Sequence, residues 1–436
     1  MEGAPDSGSS TLPATQRPLR RCAGPGLGAV KVLMLGWEFP PYFAGGVGVV
    51  CEAMTRALAR RGNEVTYLMP RSPARGGAPG VRLLSLEAPG TAVELIELPS
   101  VLVSYATTPG TRTISVPGEP EVSSPGPAPL YGPNLLEEVD RFADAAARFV
   151  REHGLAFDLI HAHDWTTFRA GVALKALTGR PLAVHVHITE FDKSGGHHAD
   201  SRVWALEHEG MNRADRVIAV SRRVAERCIA SYGVDPARLR VVYNAIDPDR
   251  REVAPVPVGE RMVLFLGRVT LQKGPEYFVE AARRVLEKEP DVVFVMAGQG
   301  DMLPRMIERA AALGLGRRML FPGFVDRDRA AALYESADVF VMPSVSEPFG
   351  IVPLEAMDRG VPVIVSRQSG AGELLSNVLK VDFWDVDDLA SKIASALRYP
   401  TLARELRERG KEEVGRISWD GVADRLEHLY REMLHA

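Results

Sequence analysis

From Val30 onward the chain alternates short apolar runs with longer segments whose apolar residues recur at helical spacing. The run VKVLMLG precedes a helix-length stretch after Gly48 and then EVTYLMP. The same alternation returns at FDLIHAHD (Phe157 to Asp164), PLAVHVH (Pro181 to His187) and DRVIAVS (Asp215 to Ser221). Apolar strands separated by amphipathic helices predict βαβ units and a parallel sheet. A fresh series opens at RMVLFLGR and continues through DVVFVMAG, RMLFPGF, ADVFVMP and VPVIVS, which predicts a second parallel sheet. The fold class expected is therefore α/β, with two Rossmann-like domains facing each other across a cleft. The pattern breaks at DPDRREVAPVPVGE (Asp247 to Glu260), and the hinge is placed there.

Two segments carry no such period. Residues 1–28 are rich in Gly, Pro, Ser and Ala and are expected to form a disordered leader, because they cannot bury enough surface to offset ordering entropy. Between Pro99 and Pro133 the chain is again rich in Pro, Gly and Ser, too long for an ordinary connector, and predicts a surface loop. The expected organisation is a leader (1–28), an N-terminal domain (29–250), a C-terminal domain (261–415) and a final helical segment (416–436).

Composition narrows the function classes. A length of 436 residues suits two domains. The formal net charge of −4 lacks the basic excess of nucleic-acid binders, so no nucleic-acid partner is expected. The three cysteines (Cys22, Cys51, Cys228) form no CxxC pair, which argues against a disulfide framework and a cysteine zinc site. No apolar run approaches the roughly eighteen residues of a membrane span. A cytoplasmic location is the resulting expectation.

Four places carry candidate chemistry. In WEFPPYFAGGVGVV, Gly45, Gly46 and Gly48 precede a helix, an arrangement that lets backbone amides and the helix N-terminus approach a phosphate. The spacing is not GxGxxG, and no acidic residue closes the next strand, which disfavours a dinucleotide-binding site. In GRVTLQKG, Arg268 and Lys273 lie in the loop at the carboxyl end of a predicted parallel strand, where a fork and a point charge suit a diphosphate. In VSEPFGIVPLEAMDRG, Glu347 precedes a helix near Gly350 and Glu355 lies within it, so the two carboxylates can meet different parts of one ligand. Finally, His161 with His163 and His185 with His187 form HxH pairs, and His197 adjoins His198. Alternate strand positions share a face, so each HxH pair could serve one metal. That keeps a metal-dependent hydrolase open as an alternative, although no HExxH is present and the anion-binding loops of the second half would then lack a purpose.

Together the AGGVG turn, HAHDW (His161 to Trp165), the strand-end His187, VSRRVAERC with VVYNAID, GRVTLQKG and the spaced glutamates resemble glycosyltransferase family four. Bacterial glycogen and starch synthases are near relatives of that family. The likeness spans residues 30 to 436. It implies the GT-B fold, a last helix crossing back toward the first domain, and sugar transfer with retention and without a metal or other cofactor. It further implies that Arg268 and Lys273 neutralise the departing diphosphate, that Glu347 holds donor-sugar hydroxyls and that Glu355 takes the ribose. Gly45 and Gly46 would approach the diphosphate, with Phe349, Gly350, Ile351 and Val352 completing the donor wall. His187 would lie near the transferred sugar and Asp164 on the sugar and acceptor side. The expected partners are a nucleotide-sugar donor and a glycan or small-molecule acceptor, glucose and a glycogen-like α-glucan being the best fit. A KxGGL turn and a tyrosine at the Glu355 position, typical of bacterial glycogen synthases, are absent, so the resemblance is to family four itself. A sugar-nucleotide-binding protein without catalysis is the other alternative.

Overall fold

The computed structural model describes residues 29–40, 46–71, 82–85, 93–99, 134–195 and 199–435. The leader, Gly45, His197, His198 and the loop beyond Pro99 lie outside the described residues.

The first lobe is built on β1 (Lys31–Leu35), β2 (Glu64–Arg71), β3 (Arg82–Ser85), β4 (Val93–Pro99), β5 (Leu159–His163), β6 (Leu182–Val186), β7 (Arg216–Ala219) and β8 (Leu239–Val241). Its helices are α1 (Gly46–Arg60), α2 (Leu135–His153), α3 (Trp165–Thr178), α4 (Glu190–Lys193), α5 (Ser201–Arg213) and α6 (Arg222–Tyr232). The strands lie in the order β3-β4-β2-β1-β5-β6-β7-β8. All pair in parallel except β3, which runs antiparallel to β4 and corrects the expectation of a purely parallel sheet. Every residue of β5 and β6 is buried, as befits central strands covered by helices on both faces.

The second lobe contains β9 (Arg261–Leu266), β10 (Val292–Ala297), β11 (Met319–Gly323), β12 (Val339–Met342), β13 (Val363–Ser366) and β14 (Leu379–Val381). They form a wholly parallel sheet in the order β11-β10-β9-β12-β13-β14. It is flanked by α7 (Pro275–Leu286), α8 (Leu303–Ala312), α9 (Arg327–Ser336), α10 (Val352–Asp358), α11 (Gly370–Leu374), α12 (Val386–Arg398) and α13 (Pro400–Val414). Strand order reverses between β1 and β5 in one sheet and between β9 and β12 in the other. In open α/β sheets such switch points open a crevice at the carboxyl ends of the strands.

The last helix, α14 (Trp419–Leu434), packs on the first lobe. Trp419, Val422, Ala423, Leu426, Leu429, Tyr430 and Met433 recur at helical spacing and are all buried, in one apolar cluster with Val50, Met54, Leu58 and Tyr67. Polar contacts flank that stripe. Arg61 bridges Asp424 at 2.8 Å and Glu427 at 2.9 Å, and Asn63 Nδ2 donates to Glu427 Oε1 at 2.7 Å. Burying each large apolar side chain contributes about 1.5–3 kcal/mol, so the apolar stripe outweighs the partly exposed ion pairs around it, whose acidic member Glu427 is itself buried. Among the described residues, no helix is long and apolar enough to cross a membrane.

Candidate functional site

The loops at the carboxyl ends of both sheets meet between the lobes. A carbon placed as Cβ on Gly46, the first residue of α1, would lie 3.9 Å from Ile351 of the second lobe. Ser346 Oγ donates to Asp192 Oδ1 at 2.9 Å, and Asp192 is itself held by Thr189 in a capping box at the start of α4. The carboxylate of Glu373 reaches from α11 to the N-terminus of α6, accepting from the amides of Arg222 at 2.8 Å and Arg223 at 2.9 Å. A carboxylate seated on free helix amides satisfies donors that the helix leaves unpaired. These cross-lobe contacts join residues far apart in sequence, and no local motif announces them.

In the second lobe the loops after β9 and β12 are welded to each other. Gln272 O accepts the amide of Val345 at 2.9 Å, and Gly274 follows with φ +63°. A Cβ on Gly274 would stand 2.2 Å from Pro343 O, so only glycine lets the two loops approach so closely. The approach joins the ammonium of Lys273 to Glu347 Oε2 in a salt bridge, with both side chains largely buried. Ser344 Oγ also donates to Glu347 Oε2, at 3.3 Å. The glutamate backbone is fixed on both sides, its N–H donating to Gln368 O and its carbonyl accepting from Gly370 N. Gly350, at φ +86°, leaves room for this carboxylate, since its Cβ would come within 2.9 Å of Glu347 Cγ.

The remaining candidates separate into a cleft floor and a side pocket. Arg268 is exposed, and its guanidinium makes no hydrogen bond or ion pair among the described residues. Phe349 is buried, Ile351 and Val352 are partly buried, and Val352 opens α10. Glu355 does not meet Glu347. It accepts from Tyr334 Oη at 3.1 Å and borders a cavity of about 70 Å³ with Ile246, Asp249, Arg327 and Arg359. Burial holds its carboxyl above the usual range despite the tyrosine hydrogen bond.

In the first lobe, Asp164 and His187 come together at the ends of β5 and β6. Asp164 is the one non-glycine residue with positive φ among those described, at +57°. Its Oδ1 accepts from the amides of His187 at 2.7 Å and Ile188 at 3.3 Å. Such strain persists where the surroundings over-determine it, often at functional sites. Burial pushes its carboxyl up to about 7, against the opposing hydrogen bond from His187 and the nearby charge of Lys193. Below about pH 4 both the folded and unfolded states carry this proton. From there to about pH 7 only the folded state keeps it, so its contribution to stability falls as pH rises through that window. Asp164→Asn, which retains the acceptor oxygen, should raise Tm at pH 8 by roughly 3–5 °C over the native protein and leave it unchanged near pH 4. Thermal unfolding at the two pH values checks this; an equal change at both would refute it.

The two HxH pairs meet face to face across neighbouring strands. His161 faces His185, with Nε2 and Nδ1 3.2 Å apart, and His163 faces His187, with Nδ1 and Nε2 2.9 Å apart. The His161 and His185 rings are 5° from coplanar with centroids 5.3 Å apart, so these nitrogens point at one another and share a hydrogen. Two sets of possible ligand atoms do lie within 4.8 Å of each other, Cys51 with His163 and His187, and His161 with His163 and His185. The edge-to-edge pairing engages one nitrogen of each ring, while His163 Nε2, His185 Nε2 and His187 Nδ1 have no partner among the described residues. Burial pushes His161 and His187 down to about 3 and His163 and His185 well below their usual value, leaving four neutral imidazoles.

Comparison with known proteins agrees with this architecture. Residues 44–250 match the family described as Glycosyltransferase Family 4, and residues 247–413 the one described as Glycosyl transferases group 1. A D-inositol 3-phosphate glycosyltransferase of Catenulispora acidiphila is 30% identical over 300 residues, covering 63% of this chain and 70% of the relative. Glycogen synthase of Mycobacterium tuberculosis is 26% identical over 417 residues, 92% of this chain and 94% of the relative. Among solved structures, sucrose-phosphate synthase from Thermosynechococcus elongatus superposes with a TM-score of 0.73 at 23% identity, over 93% of this chain and 99% of that one. With two α/β lobes meeting at their strand ends and both halves matched in sequence, the chain belongs to the family-four glycosyltransferases and has the GT-B fold.

Proposed function

We propose that the cleft transfers a hexose from a nucleoside diphosphate sugar to an acceptor with retention of configuration and without a metal ion. Glucose as the sugar and a glycogen-like α-glucan as the acceptor fit best. The observation that carries this reading is the buried pairing of Lys273 with Glu347, on the same loop as an exposed Arg268 that has no partner among the described residues and opposite the N-terminus of α1. Lys273 and Arg268 meet the diphosphate and Glu347 the sugar hydroxyls; the amide of Gly46 adds a donor from the opposite wall, and Glu355 meets the ribose. In the reaction the bond from C1 to the phosphate oxygen breaks as the bond from C1 to the acceptor oxygen forms on the same face. The acceptor proton passes to the departing phosphate, so no protein nucleophile is required. The fixed cations stabilise the charge that develops on the leaving group. The likeness to a glycogen synthase across nearly the whole chain supports the choice of glucan.

A thermal-shift screen of nucleotide sugars, followed by transfer assays to α-glucan in excess EDTA, tests the proposal. The true donor should raise Tm by mass action, turnover should survive chelation, and the new linkage should have the donor's anomeric configuration. Complete loss of turnover in EDTA, restored by zinc, would sink the metal-independent reading. Binding without transfer or slow hydrolysis would make the chain a sugar-nucleotide sensor.

A further inference from the structure

The short helix α4 is a post raised from the first lobe against the second. At four residues it could not hold its shape alone, since helix nucleation is unfavourable. It is braced from behind: the amide of Glu190 donates to Glu207 Oε1 at 2.9 Å, and Glu207 in turn accepts from Tyr232 Oη. Thr189 steadies the carboxylate of Asp192, its N–H donating to Oδ2 at 3.1 Å and its hydroxyl to the same oxygen at 2.7 Å. The other oxygen, Oδ1, faces the second lobe and accepts from Ser346 Oγ. Just beyond α4 the chain also comes close to both welded loops, for a carbon placed as Cβ on Gly195 would lie 3.8 Å from Leu271 and 3.9 Å from Val345.

We propose that Asp192 is a positioning residue of the transfer site, holding Glu347 in place from the opposite lobe through Ser346. The proposal rests on the transfer reading above. Asp192, Ser346 and Glu347 are each at most 5% exposed, so water cannot take over the bond while the lobes stay seated. A hydroxyl stranded there would carry its full desolvation cost, which ties Ser346 to α4. Ser346 lies between two fixed points of its own lobe, the amide of Val345 on Gln272 O at 2.9 Å and that of Glu347 on Gln368 O at 3.0 Å. Those bonds place the loop within the second lobe; Asp192 places it against the first. A run of contacts thereby joins the two walls of the cleft. Asp164 Oδ1 accepts from the amides of His187 and Ile188, the next residue Thr189 steadies Asp192, and Asp192 holds Ser346 beside Glu347. Reacting groups tolerate little displacement, a shift of about 1 Å costing up to about a hundredfold in rate, so a bond that sets the distance between the walls acts on turnover.

Ser346→Ala and Asp192→Ala each remove one end of the bond. Each should lower kcat about tenfold and leave the affinity for the nucleoside diphosphate selected by the thermal-shift screen unchanged. In a Glu347→Gln background the same substitutions should cost less than about twofold, because the group they position is already gone. Hydrogen exchange at the Glu347 amide reads the loop without turnover, and should be about fivefold faster in both variants than in the native protein. Should Asp192→Ala fail to fold, Ser346→Ala, which removes a single oxygen, decides by itself. Native kcat in the folded variants, a tenfold loss that recurs in full in the Glu347→Gln background, or unchanged exchange would overturn the proposal. Faster exchange in a protein that transfers no sugar supports the coupling and overturns the transfer reading instead, which keeps the two failures apart.

Discussion

Glu347→Gln should lower sugar transfer by about two to three orders of magnitude while leaving the affinity for free nucleoside diphosphate within a few fold. The Glu347 backbone is fixed on both sides, and its carboxylate accepts from Ser344 Oγ and pairs with Lys273. Glutamine keeps the shape and an acceptor oxygen but removes the charge. Contacts to sugar hydroxyls that strengthen as the ring gains positive character are lost mainly from the transition state, so kcat should fall more than KM rises. Glu355→Gln offers the contrast, because its side chain is held by Tyr334 instead of by Lys273, and the ribose contact proposed for it would be shared by ground and transition states. Measuring kcat, KM and nucleotide affinity for both variants decides the matter. Equal, small effects in two folded proteins would move the active site elsewhere.

Lys273→Ala should weaken nucleoside diphosphate binding and reduce turnover by about two orders of magnitude, since one charge-assisted contact is lost from both states. The structure adds a second expectation. Removing the lysine strands the Glu347 carboxylate, which is 5% exposed, and breaking a buried pair by deleting one partner costs about 3–5 kcal/mol. The single variant should therefore be destabilised, and adding Glu347→Gln should recover most of that stability without recovering turnover. This double-mutant cycle separates the structural cost of the pair from its chemistry. Additive stability effects, or native kinetics in Lys273→Ala, would return GRVTLQKG to an ordinary solvated loop.

Much of the fold is legible because the central strands are mostly apolar and buried throughout: LIHAH, LAVHV, VVFVMA and VFVM. The edge strands β8 and β14 are three residues long with a basic residue at the centre, LRV and LKV, and offer no such run. The stripe of α14 is readable from Trp419 to Met433 because helical spacing survives without its partner in view. The site is legible by residue type and illegible by pairing. Lys273 and Glu347 lie 74 residues apart, and only the glycine-permitted approach of two loops joins them. Ser346 with Asp192, 154 residues apart, leaves no trace in either segment. The histidines show a limit of another kind. Spacing places His161 and His163 on one face, but whether neighbouring imidazoles converge on an ion or pair edge to edge depends on ring orientation set by the adjacent strand.

The docking of α14 on α1 also orders events during synthesis. The first lobe is translated long before its last structural element, so the apolar surface around Val50, Met54 and Leu58 has no permanent cover while the second lobe is being made. That lobe can collapse on its own sheet as it emerges, but the earlier one stays incomplete until residues 419–434 have left the ribosome. Closing a contact across more than 350 positions is slow, and exposed apolar surface in the interval invites association. The apolar face of α1 therefore stays open to solvent or to other chains until α14 has been made.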